Sequence, residues 1–218
     1  MDAKELLHKV DHTILNPTAT WEQVKKVCQE GLEFQTATVC IPPRFVRWAA
    51  QEVGHDIKIC TVVGFPNGYN MPEVKVFETE DAIRNGADEI DVVMNLGLAK
   101  AGDWEGVLEE LKAVKQSCKG HILKVIVEAS QLTKEEKMDA CRVVSICGAE
   151  FIKTSTGFSD GGATVEDVTL FREYLSPDVR IKAAGGIRTF EQAQALLQAG
   201  ADRIGSSQLV NCYRKKYL

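Results

Sequence analysis

The sequence predicts an α/β protein in which eight parallel strands, each followed by a helix, close into one (β/α)8 barrel. Short apolar segments rich in β-branched residues alternate with amphipathic helical segments along the chain. A Gly-Ala-acidic tripeptide recurs at residues 86–88, 148–150 and 200–202, each time between a helical segment and an apolar strand. Eight units in 218 residues leave roughly 27 residues per unit, which suits a compact barrel.

Each strand is predicted from an apolar run bounded by turn residues. In the recurring tripeptides, glycine supplies the left-handed conformation that ends a helix before the next strand. The predicted strands cover residues 10–15, 34–41, 57–64, 89–94, 122–128, 151–153, 179–184 and 203–205.

The helices are predicted from capping residues and from proline and glycine positions. Thr20 caps a helix that Gly31 ends, and prolines at positions 43 and 72 open helices that end near residues 53 and 86. Capping boxes or close variants begin at Thr133, Thr164 and Thr189 and predict helices ending near residues 147, 174 and 199.

A doubly wound open sheet is the alternative architecture. Such a sheet usually carries a Gly-x-Gly-x-x-Gly turn after its first strand, and this sequence has no such turn there. The pattern therefore favours a single-domain TIM barrel over residues 1–218.

Composition limits the classes of ligand. The chain is 44% hydrophobic and 26% charged, with a formal net charge of -5 and a sequence pI near 5.5. An acidic chain without long basic runs argues against nucleic-acid binding and against a membrane surface. We expect small-molecule ligands.

The termini and the cysteines indicate a cytoplasmic protein. No apolar segment approaches the length of a membrane helix, and the N-terminus lacks the apolar region of a secretory signal. The seven cysteines form no Cys-x-x-Cys pair, which favours reduced thiols over a disulfide framework. The four histidines are isolated from one another, so no metal site is predicted.

Polar side chains collect where the predicted strands end. In a barrel the functional groups gather at the carboxyl ends of the strands. Three lysines and several carboxylates at one mouth indicate an active site, although a charge network without chemistry is the alternative. The residues are Asp11, Thr13, Cys40, Asp91, Lys124, Glu128, Lys153 and Lys182.

Lys153 and Lys182 lie on neighbouring predicted strands, which are only about 4.8 Å apart in a sheet. If both point into the barrel, each ammonium disfavours the other, and one amine becomes available to attack a carbonyl. This pair suits Schiff-base formation. Asp91 could transfer protons, with a purely ionic partnership as its alternative role, and Lys124 could orient the network.

Three consecutive loops predict a phosphate site. Backbone N–H groups and hydroxyls after strands six, seven and eight are placed where barrels commonly bind phosphate. A single glycine of this kind would indicate only a turn. The candidate phosphate-binding residues are Thr156, Gly157, Gly185, Gly186, Ser206 and Ser207.

Seven motifs spread over nearly the whole chain resemble those of the deoxyribose-phosphate aldolases. The two lysine motifs together are highly specific. The motifs are DHTILN (residues 11–16), VCI (39–41), VVGFP (62–66), DEID (88–91), LKVIVE (123–128), KTSTG (153–157) and KAAGGIR (182–188).

The resemblance implies a class I aldolase that needs no metal or other cofactor. That family reversibly cleaves 2-deoxyribose 5-phosphate to glyceraldehyde 3-phosphate and acetaldehyde. It further implies that Lys153 is the Schiff-base nucleophile, Lys182 its pKa-lowering partner and Asp91 the proton donor and acceptor, with the phosphate held by glycines 157, 185 and 186 and by Ser207. The partners are then a phosphorylated sugar and short aldehydes, and a homo-oligomer, a dimer or a tetramer, is left open.

Two positions depart from some members of that family, which have a lysine where this chain has Phe158 and a second serine where it has Gln208. The strength of phosphate binding is therefore open. In the family a mobile C-terminal tail can carry a tyrosine into the site, and Tyr217 is the candidate. With only eleven residues after Ser207, a packed final helix is favoured over a free tail.

Two rival functions are considered. A Schiff-base aldolase of the transaldolase or ketose-phosphate kind would share the lysine but use a ketone donor. A non-catalytic sugar-phosphate binder would be expected to lack Lys153 or Asp91, and both are present.

Overall fold

The computed structural model describes residues 2–218, and its eight strands form one closed parallel barrel in chain order, with β8 pairing with β1. The predicted (β/α)8 architecture is confirmed. The strands are β1 (Val10–Thr13), β2 (Thr38–Ile41), β3 (Ile59–Val63), β4 (Glu89–Val93), β5 (Ile122–Ile126), β6 (Phe151–Lys153), β7 (Arg180–Ala184) and β8 (Arg203–Ser206).

Helices alternate with the strands around the outside of the barrel. A short helix precedes β1, and two helices lie between β4 and β5, where the sequence patterns named none. The helices are α1 (Ala3–Leu7), α2 (Trp21–Phe34), α3 (Val46–Val53), α4 (Pro72–Arg84), α5 (Leu96–Lys100), α6 (Trp104–Ser117), α7 (Lys134–Cys147), α8 (Val165–Tyr174), α9 (Phe190–Gln198) and α10 (Leu209–Tyr217).

The predicted end of helix α2 and the predicted start of strand β2 both differ from the structure. Helix α2 continues past Gly31 to Phe34, ends at Gln35 in the left-handed conformation (φ 50°), and β2 begins only at Thr38. Gly31 instead permits close packing, because a Cβ there would lie 2.5 Å from the Val39 side chain. The prediction that Gly31 ends this helix is therefore wrong.

The recurring Gly-Ala-acidic tripeptide forms the expected turn and also joins adjacent strands. Its three glycines have φ values of 108°, 84° and 116°. Each acidic residue accepts a hydrogen bond from a backbone N–H at the start of the preceding strand and donates its own N–H to the carbonyl of the same residue. The carboxylate bonds are Asp88 to Ile59, Glu150 to Leu123 and Asp202 to Ile181, each 2.8 Å.

The strands separate an apolar outer layer from a charged interior. In β4, Ile90 and Val92 are buried in the apolar cluster that the helices cover, whereas Glu89 and Asp91 form ion pairs with side chains from other strands. Burial of each apolar side chain contributes about 1.5–3 kcal/mol, so the outer layer stabilises the fold. Among residues 2–218, no helix combines the length and apolar character needed to cross a bilayer.

Candidate active site

Asp91 lies at the centre of the charged interior and accepts hydrogen bonds from three lysines. Its Oδ2 atom is 2.8 Å from Lys153 Nζ and 2.7 Å from Lys182 Nζ, and its Oδ1 atom is 2.8 Å from Lys124 Nζ. All four side chains are almost completely buried. The structure therefore brings Asp91 and the three lysines together inside the barrel, as the sequence predicts.

The strand register explains why these lysines meet. Lys153 on β6 is the direct partner of Lys182 on β7, and Asp91 on β4 is the partner of Lys124 on β5. Side chains at the same level on neighbouring parallel strands point to the same face. The amines of Lys153 and Lys182 thus both donate to the Oδ2 atom of Asp91.

A second group of charges lies beside the first. Asp11 forms ion pairs with Lys182 and, at 2.7 Å, with Arg203. Glu89 lies 2.6 Å from Lys124 and 3.5 Å from Arg203. Because each carboxylate faces more than one cation, the ion pairs form one continuous network rather than separate pairs.

The charges of this network do not balance when every group is ionised. It contains four cationic side chains and three carboxylates. Burial of an uncompensated charge is unfavourable, so release of one proton from a lysine would balance the interior. Lys153 pairs with Asp91 alone, whereas Lys124 and Lys182 each face at least two carboxylates.

Burial and the surrounding charges shift the pKa values in opposite directions. Burial raises the pKa of Asp91, but the ammonium groups of Lys124, Lys153 and Lys182 outweigh it and hold that pKa well below its usual value. Burial lowers the pKa of Lys182, but the Asp11 and Asp91 carboxylates raise it overall. Lys182 therefore stays positively charged beside Lys153 at neutral pH.

Cys40 lies inside the barrel as the register partner of Cys60. The hydrogen bond with Cys60 lowers the pKa of the Cys40 thiol, against the effect of burial, whereas burial raises the pKa of Cys60. The ligand atoms of Cys40, Cys60 and Asp91 lie within 4.8 Å of one another. A metal ion would nevertheless compete there with the three lysines already paired to Asp91.

A cavity of about 570 Å³ opens at the carboxyl ends of the strands, and Lys153 lines it. Lys182, Lys124 and Asp11 are fully buried in the network below. Thr13 lines the cavity, and its hydroxyl donates to the Asp11 carbonyl at 2.8 Å. All six predicted phosphate-site residues also line the cavity: Thr156, Gly157, Gly185, Gly186, Ser206 and Ser207.

Two of the predicted hydroxyls hold the loops in place. Thr156 Oγ1 donates to the Glu128 carboxylate, and Ser206 Oγ donates to the Ile187 carbonyl at 2.8 Å. Glycines 157, 185 and 186 have positive φ values of 84°, 92° and 74°. Backbone N–H groups are therefore better placed than these hydroxyls to meet an anion.

Helix α10 adds a further electropositive group to the cavity. Its N-cap residue, Gln208, makes no side-chain capping bond, and Gln208 and Asn211 line the cavity. The unpaired N–H groups of a helix N-terminus favour anions. Gln208, where some members of the resembled family have a serine, thus lines the site.

Phe158 also lines the cavity and packs edge-on against Phe65, with 5.2 Å between the ring centroids. The cationic side chains that line the cavity together with Lys153 are Lys26 and Arg188. Arg188 follows the glycine loop after β7, a position that could have suggested it. Lys26, like Gln23 and Glu30, comes from α2, and the helical pattern gave no sign that this face reaches the site.

The comparisons with known proteins agree with this geometry. The sequence profile of the DeoC/LacD family of aldolases matches residues 6–215. A deoxyribose-phosphate aldolase of Streptococcus pyogenes is 50% identical over 216 residues, which cover 99% of this chain and 97% of the relative. One of Streptococcus agalactiae is 49% identical with the same coverage.

Solved structures give the same result. The aldolase QR15 superposes with a TM-score of 0.93 at 36% identity, covering 98% of this chain and 97% of that one. A tetrameric deoxyribose phosphate aldolase from Aeropyrum pernix superposes with a TM-score of 0.90 at 30% identity, covering 100% and 94%. The chain therefore belongs to the DeoC/LacD family of aldolases.

Proposed function

We propose that this protein is a class I aldolase that reversibly cleaves 2-deoxy-D-ribose 5-phosphate to D-glyceraldehyde 3-phosphate and acetaldehyde through a lysine Schiff base. The observation that carries the proposal is the position of Lys153. It is the one lysine of the buried network that lines the cavity, and it shares a carboxylate oxygen with the charged Lys182. The names of the relatives support the substrate.

In the proposed reaction, the neutral amine of Lys153 attacks the aldehyde carbon C1, and water leaves to give an iminium. The C2–C3 bond then breaks, its electron pair moves into the iminium to form an enamine, and the C3 hydroxyl loses its proton as glyceraldehyde 3-phosphate departs. Protonation of the enamine at C2 and hydrolysis release acetaldehyde. Asp91, at 2.8 Å from Lys153 Nζ, is placed to accept and return protons at the carbinolamine.

The substrate phosphate is proposed to lie against the glycine loops and the N-terminus of α10. The backbone N–H groups there supply hydrogen bonds, and Arg188 and Lys26 supply positive charge at the cavity. These two cations offset the absence of a lysine at position 158.

Borohydride trapping tests the proposal. Incubation with acetaldehyde and borohydride should reduce the imine to a stable adduct, and peptide mass mapping should place the adduct on Lys153. Lys153→Arg is the matched control and should remain unmodified. An adduct on Lys182 would reverse the two roles, and no adduct on any lysine would contradict the Schiff base. Assays with dihydroxyacetone as donor separate the ketose-phosphate alternative.

Independence from metal is tested separately. The lysine mechanism activates the carbonyl through an iminium, so we expect prolonged treatment with EDTA to leave turnover intact. Loss of activity that Zn²⁺ restores would instead point to Cys40, Cys60 and Asp91, whose ligand atoms lie together.

We also propose that the protein acts in the cytoplasm as a homo-oligomer, a dimer or a tetramer. All seven cysteines are free thiols, six of them buried, which supports a reducing compartment. The outer face of α4 and the loop before it expose Tyr69, Met71, Val74 and Phe77, an apolar group typical of an interface. Sedimentation velocity tests the assembly, and Phe77→Lys should lower the mass.

A further inference from the structure

His12 has a buried ring nitrogen without a partner at the cavity. It is 1% exposed and lines the cavity, and its Nδ1 atom has no hydrogen-bond partner. Within residues 2–218, it is the one cavity-lining residue with such a buried, unpaired side-chain nitrogen or oxygen. Buried polar atoms are nearly always hydrogen-bonded, so this atom points to a ligand that completes the site.

Glu30 fixes the role of the other ring nitrogen. His12 Nε2 lies 2.7 Å from Glu30 Oε2, and both side chains are buried. Burial raises the pKa of Glu30, but the hydrogen bond with His12 and the charges around it lower that pKa overall, so Glu30 is a carboxylate at neutral pH. Nε2 therefore donates its hydrogen to Glu30, which leaves Nδ1 as the ring nitrogen without a partner.

The strand register places His12 beside the anion site. His12 on β1 is the direct partner of Ser206 on β8, and the chain continues from Ser206 through Ser207 into the uncapped N-terminus of α10. His12, Ser206, Ser207 and Asn211 line the same cavity. The free ring nitrogen and the helix N-terminus can therefore meet one bound group.

The charges around the pair favour an anion. Glu30 is the acidic residue that lines this part of the cavity, and its Oε1 atom is 2.6 Å from Arg214 of α10 and 3.9 Å from Lys26 of α2. Arg214 also pairs with Glu33, so these two cations balance two carboxylates. With Glu30 compensated, Lys26 and Arg188 in the cavity lining favour an anion there. When both ring nitrogens carry a hydrogen, one imidazole can donate to the Glu30 carboxylate through Nε2 and to an anion through Nδ1.

We propose that His12 Nδ1 donates a hydrogen bond to the phosphate of the substrate, with Glu30 as the positioning residue that orients the ring. This inference rests on the proposed function, because it concerns the phosphorylated sugar. It makes His12 a residue that selects the phosphorylated over the unphosphorylated substrate.

Two amide substitutions of His12 test the roles of its two ring nitrogens one at a time. The amide nitrogen of glutamine can replace Nε2, so His12→Gln keeps the bond to Glu30 and loses the cavity donor. The amide nitrogen of asparagine can replace Nδ1, so His12→Asn keeps the cavity donor and loses the bond to Glu30. His55→Gln, at an exposed histidine outside the cavity, is the control.

The readout is the ratio of KM for 2-deoxyribose 5-phosphate to KM for 2-deoxyribose. Loss of a charged hydrogen bond should raise this ratio about tenfold or more in His12→Gln. His12→Asn should change the ratio less and lower Tm more, because Glu30 loses its partner. An unchanged ratio in His12→Gln, or equal increases in both KM values, would overturn the proposal.

A direct measurement does not depend on the variants or on turnover. In the wild-type protein, the imidazole 15N resonances of His12 should shift and saturate as inorganic phosphate is added. Their failure to respond would refute the His12 contact while leaving the aldolase reaction standing. Conversely, absence of 2-deoxyribose 5-phosphate cleavage with a saturating 15N response would reject the proposed function but retain the phosphate contact.

Discussion

Among single residues, Asp91 has the widest influence on the site. Its two oxygens contact three lysines from three other strands. Replacing one buried member of an ion pair is costly because the partner charges remain buried. Its catalytic and structural contributions should therefore be lost together.

We expect Asp91→Asn to reduce turnover by ~10² or more, because the amide cannot accept a proton. It should also lower the free energy of unfolding by about 3–5 kcal/mol, because the three ammonium groups lose their carboxylate. Urea unfolding and a retro-aldol assay measure the two effects. Asp139→Asn, at an exposed ion pair, is the control. Full stability in Asp91→Asn would contradict the network described above.

A second prediction concerns the like charge beside Lys153. The pKa of Lys182 is raised by Asp11 and Asp91, so Lys182 remains an ammonium across the neutral range. Lys182→Leu removes a cation that disfavours a second positive charge beside it. Because the reaction needs a neutral amine, turnover near pH 7 should fall by ~10²–10³.

The residual rate of Lys182→Leu should rise with pH, because only a neutral lysine amine can act as the nucleophile. Lys134→Leu removes an exposed lysine and should match the wild type at every pH. A pH–rate profile distinguishes the cases. A residual rate that is flat from pH 7 to 10 would show that Lys182 acts in another way.

At the scale of secondary-structure elements, one end of the barrel carries the candidate active site and the other end stabilises the fold. The carboxyl ends of the strands carry the charged network and the cavity, whereas the acidic residues of the three recurring turns join the amino ends. Changes at the amino ends should therefore affect stability more than activity.

Asp88→Ala tests this separation. It removes the carboxylate that accepts the Ile59 N–H at 2.8 Å, and the free energy of unfolding should fall by about 1–2 kcal/mol. The kcat/KM of the folded protein should stay near that of the wild type. Asp178→Ala, in an exposed loop, should change neither quantity. Lost activity in a stable Asp88→Ala protein would show that the two ends are coupled.

Helix α10 gives a second prediction at this scale. Tyr217 packs against Tyr213, with 4.9 Å between ring centroids, and lines a groove beside α1 and α9, which places it in a packed helix. Deleting residues 217 and 218 should therefore leave both the aldol rate and deuterium exchange into the acetaldehyde methyl group within about twofold of wild type. Selective loss of exchange in a folded protein would show that the tail reaches the site.

For the whole molecule, the buried network links stability to pH. The pKa values of Asp11 and Asp91 lie below their usual 3.8 because of the surrounding cations, although burial opposes this. Their stabilising contribution is complete above the unfolded-state pKa and is lost as pH falls through the folded-state values. The raised pKa of Lys182 means that its contribution is lost only at strongly alkaline pH.

The urea midpoint should thus vary little between about pH 5 and 8 and fall steeply below about pH 4. The acid-side decline should be shallower in Asp91→Asn, which lacks one of the two carboxylates. Urea titrations at a series of pH values measure both. A steady decline from pH 8 to 6 in the wild type would contradict this account.

The sequence alone determined the strand count, the barrel and the residues at its mouth. Apolar runs, helical patterns, capping threonines and turn glycines are local signals, and local chemistry sets them. These local signals gave a wrong prediction where a contact distant in sequence determines the residue. Gly31 has the pattern of a helix end, but the close approach of Val39 is what requires a glycine there.

Only the tertiary structure decided which charges pair and which atoms stay unpaired. The register of β6 against β7 made Lys153 and Lys182 share Asp91, and the closure of β8 onto β1 brought His12 beside Ser206. Contacts between residues far apart in sequence depend on register and packing, which no local pattern specifies. The charge balance that distinguishes Lys153 from Lys182 is a property of the closed barrel.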